Sequence, residues 1–327
     1  MRFLVSGASG FVGSNLVPVL EQKGHRVETL DRSRSTRRDA YTWDEEAWNA
    51  SRADVWIHLA GMAHDVKARS LTEAYSQVNT GLTERFFSAF RGSTSGSLLL
   101  YVSSVKAAAS VVEGRLREDD RQELTDPYGM SKRAAEDAML AADLDDKRLV
   151  ILRPCMIHGP GNRGNLNLLY RMVRRGVPYP LAAFDNRRSL LSIDNFCAVV
   201  ETIARTSIDN GVYNLADDEP LSTVEIVRMI AEVEGTTTRI WRMPPDLIRW
   251  IARLGDLIHL PLTTARLRKL TESYVVSNDK VKRALGWQRL PVSARDGLIK
   301  TIRSFSKQAA APRAGVRTTP PAMSPPS

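Results

Sequence analysis

Only two cysteines, Cys155 and Cys197, occur in 327 residues. Two thiols build neither a disulfide framework nor a multi-cysteine zinc site, and they suit a reducing compartment. No apolar run reaches the roughly 18 residues of a membrane span. Phe3-Leu4-Val5 is far too short for a signal peptide and runs straight into Ser6 and Gly7. Cytoplasm is therefore the expected location. Aromatic residues are sparse, at 7%, and do not interleave with a basic stripe, which argues against a nucleic-acid platform. Acidic side chains are the minority, 37 against 46 basic ones, for a net charge of +9. That excess suits an anionic partner without naming one. His25, His64 and His259 lack metal-ligand spacing, so no metal site is expected.

What is present reads as alternating strands and helices. Phe3-Leu4-Val5 is a short buried strand, a glycine turn spans Ser6 to Gly13, and Phe11 to Gln22 has helical period, ended by Gly24. Further strands are expected at 27–30, 41–43, 55–59, 98–102 and 149–152, with a short helix from Asp44 and helices over 72–90 and 126–141. Asp126 suits an N-cap and Pro127 the first turn. This alternation predicts an α/β fold, a Rossmann-type doubly wound parallel sheet. After Arg153-Pro154 the strands shorten and glycine, proline and arginine become denser. Helices are expected over 166–175, 223–234, 245–254 and 293–306. The reading is a dinucleotide-binding domain at 1–157, with late strands near 190–193 and 212–215 returning to its sheet. A smaller, mostly helical substrate domain follows at 158–307. The tail, 308–327, holds five of 16 prolines, Arg313, Arg317 and no acid, and is expected to be disordered.

The turn Gly7-Ala8-Ser9-Gly10-Phe11-Val12-Gly13 has G-x-x-G-x-x-G spacing. Such a turn lets backbone amides approach a pyrophosphate at a helix N-terminus. The spacing alone also occurs in ordinary tight turns; here it follows a strand and opens a helix. Asp31 closes the next strand, where a carboxylate accepts hydrogen bonds from ribose hydroxyls and repels a 2′-phosphate. That favours NAD. Arg32 and Arg34 could hold such a phosphate, so NADP stays open; Arg37 and Arg38 read as a solvated loop.

Tyr128 and Lys132 form Y-x-x-x-K, one helical turn apart. A free tyrosine has a pKa near 10 and is a poor base at neutral pH. An adjacent ammonium and the positive helix end favour its phenolate. A shift of about three units corresponds to about 4 kcal/mol. Ser103-Ser104 follow a strand at the sheet end where ligands bind. The bland alternatives are a surface tyrosine beside a solvated lysine and a pair of loop-capping serines.

Taken together, these stretches resemble the extended short-chain dehydrogenase/reductase family, in particular its nucleotide-sugar epimerases, dehydratases and reductases. The resemblance rests on residues 6–13, His58-Leu59-Ala60-Gly61, Val78-Asn79-Thr80, Val102-Ser103-Ser104, Pro127 to Lys132, Arg153-Pro154, Gly159-Pro160-Gly161 and Arg188 to Asp194, and covers about residues 1–305. It implies hydride transfer at carbon 4 of a nucleotide sugar, through a transient ketone. Tyr128 would exchange the hydroxyl proton and Lys132 would bind the nicotinamide ribose. Ser104 would be the catalytic hydroxyl, with Ser103 second choice. Leu59, Ala60, Gly61 and Asn79 would pass beside the cofactor and Pro154 near its nicotinamide. Asn165 and Arg188 would meet the substrate phosphates. A homodimer is also implied.

Three departures from the family pattern matter. Val105 and Lys106 stand where dehydratases carry an Asp-Glu pair, which speaks against dehydration. His158 stands where many members have tyrosine. The Arg-x-x-Asp pair many epimerases use on the nucleotide is replaced nearby by Arg266 and Arg268. The subgroup it looks like contains both 4-epimerases and 4-ketoreductases of acetamido-sugars, serving surface polysaccharides. Asp31 leans toward NAD and hence toward a UDP-sugar 4-epimerase. A non-catalytic NAD(P)-binding scaffold or sensor would be expected to have lost Tyr128 or Lys132. The apolar stretch 247–258 reads as core or a subunit-facing surface, with a membrane-touching helix as the sharper alternative. His58 reads as a satisfied core histidine, and Cys155 as a buried structural thiol.

Overall fold

The computed structural model describes residues 1–310 apart from 34–36, 38, 45–47, 50, 62–79, 163 and 259–261. Seven parallel strands form the central sheet. In chain order they are β1 (Arg2–Ser6), β2 (Arg26–Asp31), β3 (Ala40–Thr42), β4 (Val55–His58), β5 (Leu98–Val102), β7 (Arg148–Pro154) and β10 (Gly211–Leu215). Their spatial order is β10-β7-β5-β4-β1-β2-β3. The order reverses between β1 and β4, and the crevice at the carboxyl ends of those strands is where a doubly wound sheet takes its ligand. Every residue of β4 and β5 is buried, because helices cover both faces.

Helices α1 (Phe11–Gln22), α2 (Gly81–Gly92) and α3 (Pro127–Leu140) alternate with these strands. One face of the sheet packs Leu16, Leu20, Phe196 and Val200 against Val5, Ile57 and Leu100. The other buries an aromatic cluster of Trp43, Trp48, Trp56, Phe86, Phe90 and Tyr101. Offset and edge-on ring pairs such as Trp56–Phe86 at 5.2 Å hold α2 against β4.

The second core belongs to the later helices α4 (Asn165–Arg174), α6 (Thr223–Glu234), α7 (Pro245–Ile258), α8 (Thr264–Thr271) and α10 (Ala294–Ala310). Helices α5 (Ile193–Arg205) and α9 (Asp279–Leu285) pack mainly on the first core. Three of these, α5, α8 and α9, have no counterpart in the sequence reading. Leu190–Ser192 (β9) also departs from it. It pairs with β8 (Met156–His158) in a separate two-stranded sheet, while 211–215 alone returns to the main sheet beside β7. Cys155 N–H still bonds to Leu215 O of the neighbouring β10, and immediately beyond it the chain forms β8 and pairs with β9. A third small sheet pairs β6 (Arg115–Leu116) with β11 (Val275–Val276). Helix α10 carries the fold through Ala310, past the expected boundary at 307; the rest of the expected tail lies outside the described residues. No helix among the described residues is long and apolar enough to cross a membrane.

The tightest polar link in the sheet layer joins α3 to β7. Arg153 donates to both carboxylate oxygens of Glu136, Nε at 3.0 and 3.1 Å and Nη2 at 2.6 Å, and both side chains are buried. Removing one partner of such a pair leaves a buried charge alone. Glu136→Ala should therefore destabilise the protein by about 3–5 kcal/mol, read from the shift of the urea-unfolding midpoint.

Candidate active site

The turn after β1 lies against the turn after β4. Gly7 adopts φ +72°, and a side chain there would place its Cβ 2.8 Å from Ala60 N. Only glycine suits both the conformation and the approach. Gly7 N–H bonds to Leu30 O, Leu59 N–H to Ser6 O, and Ala60 N–H to Ser6 Oγ. Asp31, buried at the end of β2, accepts Ser9 N–H at 3.0 Å and Ser9 Oγ–H at 2.8 Å through one carboxylate oxygen. Asp31 thus pins the turn. Ser9, Gly10 and Gly61 stay exposed at its rim, Phe11 and Val12 are half-buried, and Gly13 is buried in the first turn of α1. Gly10 is the N-cap and offers the helix no side-chain acceptor. First-turn amides, a positive helix end and an adjacent carboxylate are the donor and acceptor set a dinucleotide needs. Arg32 is exposed beside Asp31; Arg34 and Arg38 lie outside the described residues, and Arg37 pairs with Glu21.

Helix α3 carries the second half of the site. Asp126 caps it, accepting Gly129 N–H at 3.1 Å, and Pro127 opens the first turn. Gly129 packs so closely on the turn at Val105–Ala107 that a Cβ would lie 2.4 Å from Lys106 O. This contact sets Tyr128, half-buried, beside the segment that carries Ser103 and Ser104. Lys132, one turn further, is buried and donates to Val102 O at 3.0 Å, with its ammonium 5.0 Å from the Tyr101 ring centre. Ser104 accepts Lys106 N–H at 3.2 Å and remains half-buried. Ser103 is buried, and its Oγ has no hydrogen-bond partner among the described residues. A buried unpartnered hydroxyl next to a half-open one marks a place where a polar group is awaited.

Burial shapes the electrostatics here. It draws the Lys132 ammonium down to about 8, partly opposed by the Glu136 carboxylate. It lowers His58 to about 3, helped by the Lys132 charge, and raises the Tyr101 phenol, helped by Glu136 and Tyr128. His58 is a satisfied core residue: Nδ1 meets Ser6 Oγ at 2.6 Å and Nε2 meets Thr83 Oγ1 at 2.9 Å. Both cysteines are buried, and burial pushes their thiols up, Cys197 to about 12.

The remaining expected residues scatter around this centre. Pro154 is buried at the end of β7, and Cys155 follows it. Asn165 is exposed at the first position of α4. Asn79 lies outside the described residues. Arg188 is half-buried; its backbone bridges Leu221, and its Nε donates to Glu272 O at 3.2 Å. His158 is wholly buried and bonds Thr301 Oγ1 at 2.9 Å, so it serves the packing of α10 rather than an open pocket. Lys106 donates to Ser110 O at 2.9 Å and lies 4.2 Å from the Tyr274 ring centre. The place of a dehydratase acid is therefore filled by a fixed cation.

Tyr274 is the contact that sequence reasoning missed. Its hydroxyl is directed at Val105 O (3.1 Å) and Ala109 O (2.8 Å), and its backbone bonds Arg187 and Ser189. It thereby ties the segment of Arg188 to the turn below Ser104. Nothing in a lone tyrosine more than 160 residues from its acceptors signals this.

His58 supplies a pH test. The unfolded chain protonates a histidine near 6.5, whereas the folded protein holds His58 neutral down to about 3. Between those values the unfolded state binds more protons, so stability falls as pH falls, by about 1.4 kcal/mol per unit. Urea unfolding across that window should show this slope, and His58→Gln should flatten it.

Known proteins share this architecture and these motifs. The model of the NAD dependent epimerase/dehydratase family matches residues 3–216. A UDP-glucose 4-epimerase from Vibrio cholerae is 30% identical, covering 92% of this chain and 94% of that protein. A ceramide reductase from Caulobacter vibrioides is also 30% identical, over 77% of this chain and 76% of its own length. Among solved structures, a UDP-glucose 4-epimerase from Thermotoga maritima, determined with UDP-glucose, superposes with a TM-score of 0.73 at 20% identity. That match covers 94% of this chain and 100% of the other, and at this identity it speaks for the fold. With a family model spanning the whole central sheet and a relative alike over nearly its full length, this chain belongs to the NAD-dependent epimerase/dehydratase family of enzymes.

Proposed function

We propose that the protein is a UDP-sugar 4-epimerase that uses NAD and serves surface polysaccharide synthesis. The observation that carries the reading is Lys132, buried one helical turn from Tyr128 and fixed on Val102 O at the mouth of β5. Bound NAD supplies the hydride acceptor and donor. Tyr128 takes the proton of the sugar's 4-hydroxyl and returns it. The Lys132 ammonium lowers the cost of the phenolate that this requires. Ser104 keeps its own hydroxyl proton for the substrate oxygen, since its recorded bond is one it accepts. Ser103, buried and without a partner, supports the same pocket. Asp31 favours NAD over NADP by holding a carboxylate at the ribose end. Leu59, Ala60, Gly61 and Pro154 would line the cofactor, and Arg188 and Asn165 would meet the substrate phosphates. The absence of an acid at positions 105 and 106 argues against dehydration.

A second reading is a 4-ketoreductase acting on a UDP-4-keto-6-deoxy-acetamidohexose. The ceramide reductase among the relatives, at the same 30% identity over a shorter alignment, favours this kind of single reduction. The two differ in what happens to the cofactor: an epimerase regenerates it in place, and a reductase exchanges it each turnover. Denaturing the purified protein should release bound NAD in near-stoichiometric amount. An empty site together with net NAD(P)H consumption on the keto sugar would establish the reductase instead.

Tyr128→Phe should lower kcat by about 10²–10⁴ on UDP-acetamidohexoses, with cofactor binding retained. Undiminished turnover in that variant would remove the proposed chemistry.

A further inference from the structure

Helix α7 is amphipathic in an unusual sense. Its inner side is anchored by Ile248, Ala252 and Gly255, which pack into the second core. A second apolar side faces outward. Leu247 is 43% exposed, Trp250 59%, Leu257 75% and Ile258 55%. Their spacing, i, i+3, i+10 and i+11, puts them on one stripe. Trp241, just before the helix, is also exposed. Single exposed apolar residues need no explanation, but a stripe of this size does.

The charge around the stripe points to its partner. Residues 239–268 contain six arginines and two aspartates, a far more basic balance than the chain's 46 to 37. Arg239, Arg242, Arg249, Arg253, Arg266 and Arg268 are all exposed. Both aspartates are engaged locally, Asp246 by Arg249 at 2.8 Å and Asp256 by Thr264 N–H at 3.1 Å. An outward stripe of tryptophan, leucine and isoleucine flanked by arginine is the composition that settles into the headgroup region of an anionic bilayer. Two other occupants fit less well. In a twofold dimer each copy would meet its own face, setting Arg249 and Arg253 close to their counterparts. Four apolar side chains also fall far short of the roughly 20–30 residues a stable interface uses on each side. The C-terminal residues 311–327 offer only Val316 and Met323 as large apolar groups and add two arginines.

We infer that the outer face of α7 rests on the surface of an anionic membrane, as a peripheral contact. The inference is independent of which sugar or carbonyl the active site takes. The test is flotation of the full chain with vesicles of equimolar phosphatidylglycerol and phosphatidylcholine, and with vesicles of phosphatidylcholine alone. The protein should float with the anionic vesicles, at least about tenfold more than with neutral ones, and the binding should weaken as salt is raised. The double variant Trp250→Ser, Leu257→Ser should lose about tenfold or more in partitioning, with an unchanged melting curve and unchanged turnover in solution. Brominated lipid should quench part of the tryptophan emission, and Trp250→Phe, which keeps the apolar face, should remove that part while still floating. Failure to float with either vesicle, equal flotation of the double variant, or a concentration-dependent dimer that the double variant dissociates would each overturn the inference.

Discussion

The ion pair between Glu136 and Arg153 sets the position of everything that helix α3 carries. Tyr128, Lys132 and Glu136 are spaced four residues apart and share one face. A carboxylate gripped at both oxygens by a guanidinium fork fixes a helix both along and around its axis. The fork sits on β7, the strand next to β5, so the grip is referred to the sheet itself. At the other end of the helix Gly129 meets Lys106 O without room for a side chain. Between these two fixed points Lys132 has one place to go, the Val102 carbonyl. A buried pair of this kind contributes little net stability compared with apolar residues of the same shape. Its contribution here is register, which a salt-free helix of the same propensity would lack.

Burial then acts on the neighbours with opposite signs. It penalises whichever form is charged, so it lowers His58 and Lys132 and raises Tyr101. At neutral pH His58 and Tyr101 are both uncharged, stacked 5.8 Å apart in the same aromatic core. Lys132 keeps its proton there, at the edge of that core. Tyr128 lies one turn earlier on the same helix, and neither His58 nor Tyr101 adds a charge beside that ammonium at neutral pH. The Glu136 carboxylate, held by Arg153, still acts on both Lys132 and Tyr101. The aromatic core is therefore part of the electrostatic design as well as the packing.

How much of this could be read from the sequence depended on whether the signal was local. Helices 11–22 and 223–234 were legible to the residue: one is bounded by the glycine turn, and the other has a complete capping box of Ser222 with Glu225 and ends on Gly235. Helix α3 was legible from Asp126 and Pro127. The strands of the central sheet were legible as short buried apolar runs. Helix α5 was overlooked although Ile193, Phe196, Cys197, Val200, Ile203 and Ala204 recur at helical spacing, because the apolar run Leu190 to Ile193 that leads into it reads as a strand. The partner of β9 was not legible, since a three-residue strand pairs equally well with any free edge. The motifs around Tyr128 and Asp31 were found by their spacing. The Glu136–Arg153 grip and the Tyr274 bridge were missed, because each joins residues whose distance in the chain carries no pattern.

That division has a consequence for specificity. The groups proposed for proton transfer, Ser104, Tyr128 and Lys132, lie within residues 104–132 on α3 and the turn after β5. The residues expected to meet a substrate, Arg188 and Asn165, come from the later part of the chain. Of these, the segment of Arg188 reaches the Ser104 turn through Tyr274, which grips the carbonyls of Val105 and Ala109 rather than any side chain of the proton path. Substitutions at Arg188 and Asn165 leave the Glu136–Arg153 grip and the Lys132–Val102 contact untouched. Relatives at 30% identity include both a UDP-glucose 4-epimerase, aligned over 92% of this chain, and a ceramide reductase, aligned over 77%. The proton path proposed above would serve any secondary alcohol and its ketone, and the choice between them would then fall to segments such as that of Arg188, whose contacts are long-range.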